Sequence, residues 1–156
     1  QPAALDGPPS TPAHEPASAP PHGALYNDMI ARQEVRLAIM QALAGYHRSL
    51  PLMLQATPDA DSHRAEAAEL GLELLFEAFA DRCYDDDGKL LSRRKPGAVH
   101  NREKMLAQVK QLQQEGKLTT VSGNILPLAA DTLCVHGDNL EGVQAIREIR
   151  ALVKGS

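Results

Sequence analysis

The sequence predicts an α/β fold whose strands lie mainly parallel. Short apolar runs alternate with helical stripes along the chain, an order that gives a parallel sheet with right-handed crossovers. The run Thr132-Leu-Cys-Val-His136 stops abruptly at Gly137-Asp138-Asn139, and an amphipathic stretch follows at once. A buried parallel strand delivers polar side chains to its carboxyl end in this way. With 156 residues the chain has enough length for one domain with a real core.

Composition narrows the class further. Apolar residues make up 43%, but aromatics only 3%, with no Trp. Ala, Leu, Val and Ile must therefore fill the core, with Phe76 and Phe79 as the rare large fillers. The formal charge of −4 gives no electrostatic basis for nucleic-acid binding or a polybasic membrane anchor. Cys83 and Cys134 lack metal-ligand spacing and make no disulfide framework. Reduced, partly buried thiols in a cytoplasmic protein are expected. No apolar run has the length of a membrane span, and the amino terminus lacks a signal-peptide layout.

Residues 1–21 hold seven of the eleven prolines, so they cannot repeat a hydrophobic face and are expected to form a disordered tail. The folded domain is expected over residues 22–156. A helix is predicted from about Asp28 to Gly45, its stripe formed by Ile30, Val35, Leu37, Ala38, Met40, Ala42 and Leu43. Leu50–Ala56, bounded by prolines, reads as a buried strand. Asp61 or Ser62 would cap a helix through Leu70, with Gly71 as its stop. Leu72–Phe79 reads as the next strand because a helix has just ended and the length fits. After the polar loop Asp85–Gly88, a helix is predicted from Asn101 to Glu115, with Met105, Leu106, Val109 and Leu112 on one face. Leu118–Val121 and Ile125–Leu126 flank Ser122-Gly-Asn124 as a small hairpin. The last strand then leads into a helix over Leu140–Lys154 with a stripe of Val143, Ile146, Ile149 or Arg150, and Val153. Gly137 would permit a tight turn that a Cβ resists, and Asp138 or Asn139 would cap this helix.

Ligands of α/β sheets meet the carboxyl ends of the strands. The polar residues expected there are Glu77, Asp81 and Arg82 after one strand, and His136 and Asp138 after another. His22 and Asn27 would stand at the end of a strand supplied by the tail. A histidine among carboxylates suits proton transfer or metal binding. Asp138 as a helix cap and His136 as a rim residue are the structural alternative. Glu77 interrupts an apolar run, and a buried carboxylate needs a partner; Arg82 is the candidate. Arg93, Arg94 and Lys95 could clamp an anion or form a solvated loop. Asp85-Asp-Asp-Gly88 resembles a calcium loop, but Pro96 stands where an EF-hand needs its bidentate Glu. His14, His47, His63 and His100 fall in the tail or on helix edges expected to be exposed, and no role is assigned to them. The sequence has no glycine-rich phosphate loop.

Taken together, the blocks Pro21-His-Gly-Ala-Leu-Tyr-Asn27, Glu77-Ala-Phe-Ala-Asp-Arg82 with Tyr84, Asp87-Gly88, Arg93, Pro96-Gly-Ala-Val99 and Asp131-Thr-Leu-Cys-Val-His-Gly-Asp138 closely resemble the LamB/YcsF family, the A subunits of 5-oxoprolinase, over residues 21–154. The resemblance implies a partial (β/α) barrel of the glycoside hydrolase/deacetylase-like type. It also implies a part in the ATP-dependent opening of 5-oxoproline (pyroglutamate) to glutamate, with two partner subunits of the 5-oxoprolinase and ATP bound with those partners. On the resemblance, His22, Glu77, Asp81, Arg82, His136 and Asp138 surround the barrel mouth, with Asn27 and Arg93 on the substrate side. His136 or Glu77 would transfer protons and Arg82 would hold an anionic group. A divalent metal held by His22, His136, Asp138 and Glu77, for amide or acetyl hydrolysis, is the rival chemistry, and a non-catalytic interaction module is a third reading. The family's amino-terminal acidic strand and its Cys-Gly-Phe-His and Gly-Ala-His-Pro motifs do not occur here, and Pro20 replaces a usual lysine. Roughly the first half of the barrel is therefore expected to be missing, leaving strand edges open to pairing.

Overall fold

The computed structural model describes residues 24–46 and 50–155. The expected tail, His22, His14 and His47 lie outside the described residues.

Three strands form a parallel sheet in the order β1-β2-β5: β1 is Leu52–Gln55, β2 is Leu74–Phe79 and β5 is Thr132–Cys134. The register pairs Glu77 with Gln55 on one side and with Thr132 on the other. Side chains alternate across a sheet, so Leu75, Glu77 and Phe79 share one face while Leu74, Phe76 and Ala78 share the other. The second face is the main core. Phe76 and Ala78 are fully buried there with Leu54, Met29, Met40 and Leu118. Asp131 splices β5 to β2 just before β5 begins: its carboxylate accepts from the Phe76 amide at 2.8 Å and its own amide donates to the Phe76 carbonyl at 2.7 Å.

The helices fit their sequence signals unevenly. α3 (Ala60–Glu69) and α4 (Arg102–Glu115) connect the strands. The Asn101 side chain caps α4 by accepting from the Lys104 amide, and Gly116 ends it at φ 62, a left-handed conformation that favours glycine. Met105, Val109 and Leu112 are buried as the stripe predicts, and Gln108 is buried among them. β3 (Lys117–Thr119) and β4 (Ile125–Pro127) form the expected hairpin.

Several boundaries depart from expectation. The helix expected from Asp28 begins at Ala24 and divides into α1 (Ala24–Ala31) and α2 (Gln33–Ala44), because Arg32 is extended at φ −126, ψ 108. The break lets the Arg36 guanidinium donate to the Met29 carbonyl at 2.9 Å and grip Glu66 at 2.6 and 2.8 Å. A periodic reading cannot anticipate a cation buried inside its stripe. α3 starts one residue after Asp59 rather than after Asp61 or Ser62. The terminal helix also divides, at Ala145, into α5 (Leu140–Gln144) and α6 (Ile146–Lys154). That break re-phases the expected stripe. Val143, Ile146 and Val153 are exposed, and Ala145 and Ile149 are the buried contacts to α4.

Candidate functional site

The site gathers where β2 and β5 end. Asp81 follows β2 by two residues and is completely buried. Its carboxylate accepts from the His136 backbone amide at 3.0 Å, from His136 Nδ1 at 3.0 Å and from Asn139 Nδ2 at 3.3 Å. A carboxylate can only accept, so His136 Nδ1 carries the proton. In the neutral ring the lone pair then sits on Nε2, which has no protein partner among the described residues. The imidazole stacks on Phe79, with ring centroids 5.2 Å apart and planes 17° from parallel. The ring is thus fixed in tautomer by Asp81 and in tilt by Phe79.

Asp81, His136, Asp138, Arg82 and Arg93 line one cleft of about 330 Å³ together with Val99, Asn139, Leu140 and Glu141. Arg82 is 7% exposed. It donates to the Leu91 carbonyl at 2.6 Å, and its Nε is buried without a partner. Burial and the nearby Arg93 both work against its charge, yet an arginine stays protonated in proteins. Among the described residues no carboxylate hydrogen-bonds to it. A desolvated cation of this kind favours an anionic ligand in the cleft. At the rim, Arg93 and Asp138 form an ion pair at 2.6 Å, and Arg93 holds the Asp138 carboxyl below its ordinary range.

Glu77 sits deeper, on the same face of β2 as Phe79. The expected partner, Arg82, turns instead to Leu91; Glu77 accepts from the Tyr26 hydroxyl at 3.1 Å. Burial, reinforced by the Glu77 carboxylate, raises the Tyr26 phenol, so it stays a donor. Tyr26 also meets Phe79 edge-on at 6.5 Å, linking Glu77 to the ring beneath His136. The Cys134 thiol is pushed up to about 11 by burial and the carboxylates of Glu77 and Asp81, so it remains a thiol near neutrality. Asn27 is exposed on α1.

Other expectations change here. Gly137 has no left-handed conformation, and an added Cβ would meet open space. The close approach belongs to Gly142, where a Cβ would stand 2.7 Å from Val135 Cγ1. Asn139, not Asp138, caps α5 by accepting from the Gly142 amide at 3.2 Å. His63 and His100 are not on exposed edges: His63 is buried and His100 half-buried. The sequence marks Phe79 only as a core filler and Asn139 only as a cap candidate; their contacts to His136 and Asp81, and that of Tyr26 to Glu77, join distant segments and carry no local signal.

Among the described residues no three His, Cys, Asp or Glu side chains converge as a metal-binding group, and His22 of the rival ligand set lies outside them.

A buried Asp–His pair beside an arginine, at the carboxyl ends of parallel strands of an α/β protein, is an arrangement able to exchange a proton next to a cation. Comparison with known proteins specifies the family. Residues 11–156 match the model of the LamB/YcsF family. The A subunit of 5-oxoprolinase from Chromohalobacter salexigens is 52% identical over 136 residues, which are 86% of this chain and 54% of that protein. The Pseudomonas fluorescens protein of the same name is 49% identical over 131 residues, covering 83% and 52%. The crystal structure of the lactam utilization protein from Thermus thermophilus superposes with a TM-score of 0.69 at 32% identity, over 82% of this chain and 51% of that one. The chain belongs to the LamB/YcsF family. Its parallel strands and intervening helices are therefore part of a barrel-like fold. The chain spans about half the length of the curated relatives it matches.

Proposed function

We propose that this chain contributes the water-directing site of a cytoplasmic, ATP-dependent 5-oxoprolinase, which opens 5-oxo-L-proline to L-glutamate with two partner subunits. Relatives named as the A subunit of 5-oxoprolinase, together with a relative named for lactam utilization, support the substrate class. The observation that carries the chemistry is the Asp81–His136 pair, buried on one side and with Nε2 unengaged by protein on the other.

A lactam is a stable amide, so direct attack by water is slow and activation is required. ATP, bound with the partner subunits, supplies it by phosphorylating the lactam oxygen. This chain's share is then proton transfer and orientation. Arg82 holds the substrate carboxylate, which places the lactam carbon near His136. Nε2 takes a proton as the water oxygen bonds to that carbon, and Asp81 stabilises the resulting imidazolium. The carbon–nitrogen bond breaks, and the departing ring nitrogen takes the proton back from Nε2. C–N cleavage leaves the phosphoryl group on the new carboxyl as an acyl phosphate; a second water cleaves it to free glutamate and inorganic phosphate, so two waters are consumed per ATP. Glu77, held by Tyr26, sets the charge beneath the site.

The test mixes the chain with both partner subunits, ATP and 5-oxoproline and follows glutamate. ATP-dependent release that requires this chain supports the proposal. A mixture that hydrolyses ATP without releasing glutamate opposes it, and leaves the interaction-module reading standing. Glu77→Gln keeps an oxygen for the Tyr26 hydroxyl, so the fold persists while turnover falls.

A further inference from the structure

Gln108 stands in the apolar stripe of α4, between Met105 and Leu112, where packing alone would select an aliphatic side chain. It is 6% exposed. A buried amide is costly unless its hydrogen bonds are made, and here they converge on one place. Nε2 donates to the carbonyls of Phe79 at 2.8 Å and Arg82 at 2.9 Å, with Ala80 at 3.3 Å. These carbonyls bracket Asp81 on both sides.

The other end of the amide is also fixed. Gln108 Oε1 lies 3.0 Å from His100 Nε2. An amide oxygen only accepts, so His100 is the donor through Nε2–H. His100 Nδ1 is then bare, and it is buried without a partner. The His100 backbone amide donates to the Asp81 carbonyl at 2.8 Å, and its carbonyl accepts weakly from Asn139 Nδ2 at 3.5 Å. One network therefore runs from α4 through His100 to both Asp81 and Asn139.

We propose that Gln108, oriented by His100, is a positioning residue for the Asp81–His136 pair: it clamps the turn after β2 so that the Asp81 carboxylate faces His136 Nδ1. This rests on the catalytic reading of that pair given above. Gln108 never touches the cleft, and it acts through the backbone on either side of Asp81. Because the bond to Asp81 decides which His136 nitrogen carries the proton, loosening the clamp frees the imidazole to adopt the Nε2–H tautomer, which cannot accept the proton of water.

The experiment is long-range ¹H–¹⁵N NMR of the His136 ring in the full labelled chain, comparing wild type, Gln108→Met and Leu112→Ala. Leu112→Ala disturbs the same helix by cavity formation without touching the turn. Wild type should show the Nδ1–H pattern. Gln108→Met should move the His136 resonances towards the Nε2–H pattern, and Leu112→Ala should leave them in place. In the assembled system kcat should fall by about 100-fold for Gln108→Met with KM unchanged. If Gln108→Met does not fold, His100→Leu removes only the hold on the amide oxygen and should shift the resonances in the same direction by less. A wild-type Nδ1–H signal that neither variant moves overturns the role of Gln108 alone. A wild-type ring in the Nε2–H form overturns the Asp81–His136 pair and the clamp together.

Discussion

Asp81 stabilises the fold and prepares the site at once. Its carboxylate is wholly buried and accepts two bonds from His136 and one from Asn139. An amide in its place turns an acceptor into a donor facing an N–H group, and hydrogen bonds to a charged group contribute about 1.5–3 kcal/mol each. Asp81→Asn should therefore lower the unfolding free energy by about 2–3 kcal/mol in urea titration; an unchanged midpoint would remove the carboxylate from its structural role. The rim pair of Arg93 and Asp138 is solvated, and surface pairs contribute little to stability. Sequence reasoning reached Asp81, Arg82 and His136 because polar residues at strand ends are visible in one dimension. It missed Tyr26 as the partner of Glu77, since 51 residues separate them and no periodicity joins them.

At the scale of elements, the turn into α5 separates two glycines that look alike in sequence. Gly142→Ala gains about 1 kcal/mol of helix propensity, but its Cβ meets a stiff valine methyl at 2.7 Å and crowds the Asn139 cap. Overpacking costs about 1–3 kcal/mol, so the clash wins and the variant should melt lower. Gly137→Ala meets nothing and should melt like wild type. The reverse order in a thermal scan would contradict the packing described for β5 and α5. α3 carries a pH dependence. Burial, and secondarily the charge of Arg36, holds the His63 imidazole below its ordinary value. His100 on the loop before α4 is lowered in the same direction by its own burial. A depressed histidine stabilises the fold above the unfolded value of about 6.5, and that contribution is lost as pH falls through the folded value. The melting temperature should thus drop from about pH 7.5 to about pH 5, and His63→Gln should flatten part of the drop. Equal slopes for both proteins would count against a buried neutral His63. Helix identity was legible from the apolar stripes of α2 and α4, and α3 and β2 from their cap, stop and length signals. The breaks at Arg32 and Ala145 were not, because each answers to a tertiary contact: Arg36 reaching Glu66, and α6 turning to pack on α4.

Over the whole molecule, three parallel strands with β1 and β5 outermost form one stretch of a family barrel. The family was legible because its motif blocks stand in order along the sequence. The chain nevertheless spans about half the length of the curated relatives it matches, so the proposed reaction is best measured with the partner subunits present. Among the described residues no helix is long and apolar enough to cross a membrane. On the proposed mechanism, His136, set by Asp81, moves the proton when the lactam opens. That proton transfer is tested most directly by glutamate release in the assembled system with His136→Gln, measured alongside ATP hydrolysis by the same mixture. Positioned general bases contribute about 10²–10⁴-fold. Glutamate release should fall by at least about 100-fold while the partners' ATP hydrolysis persists; wild-type turnover in His136→Gln would contradict the account.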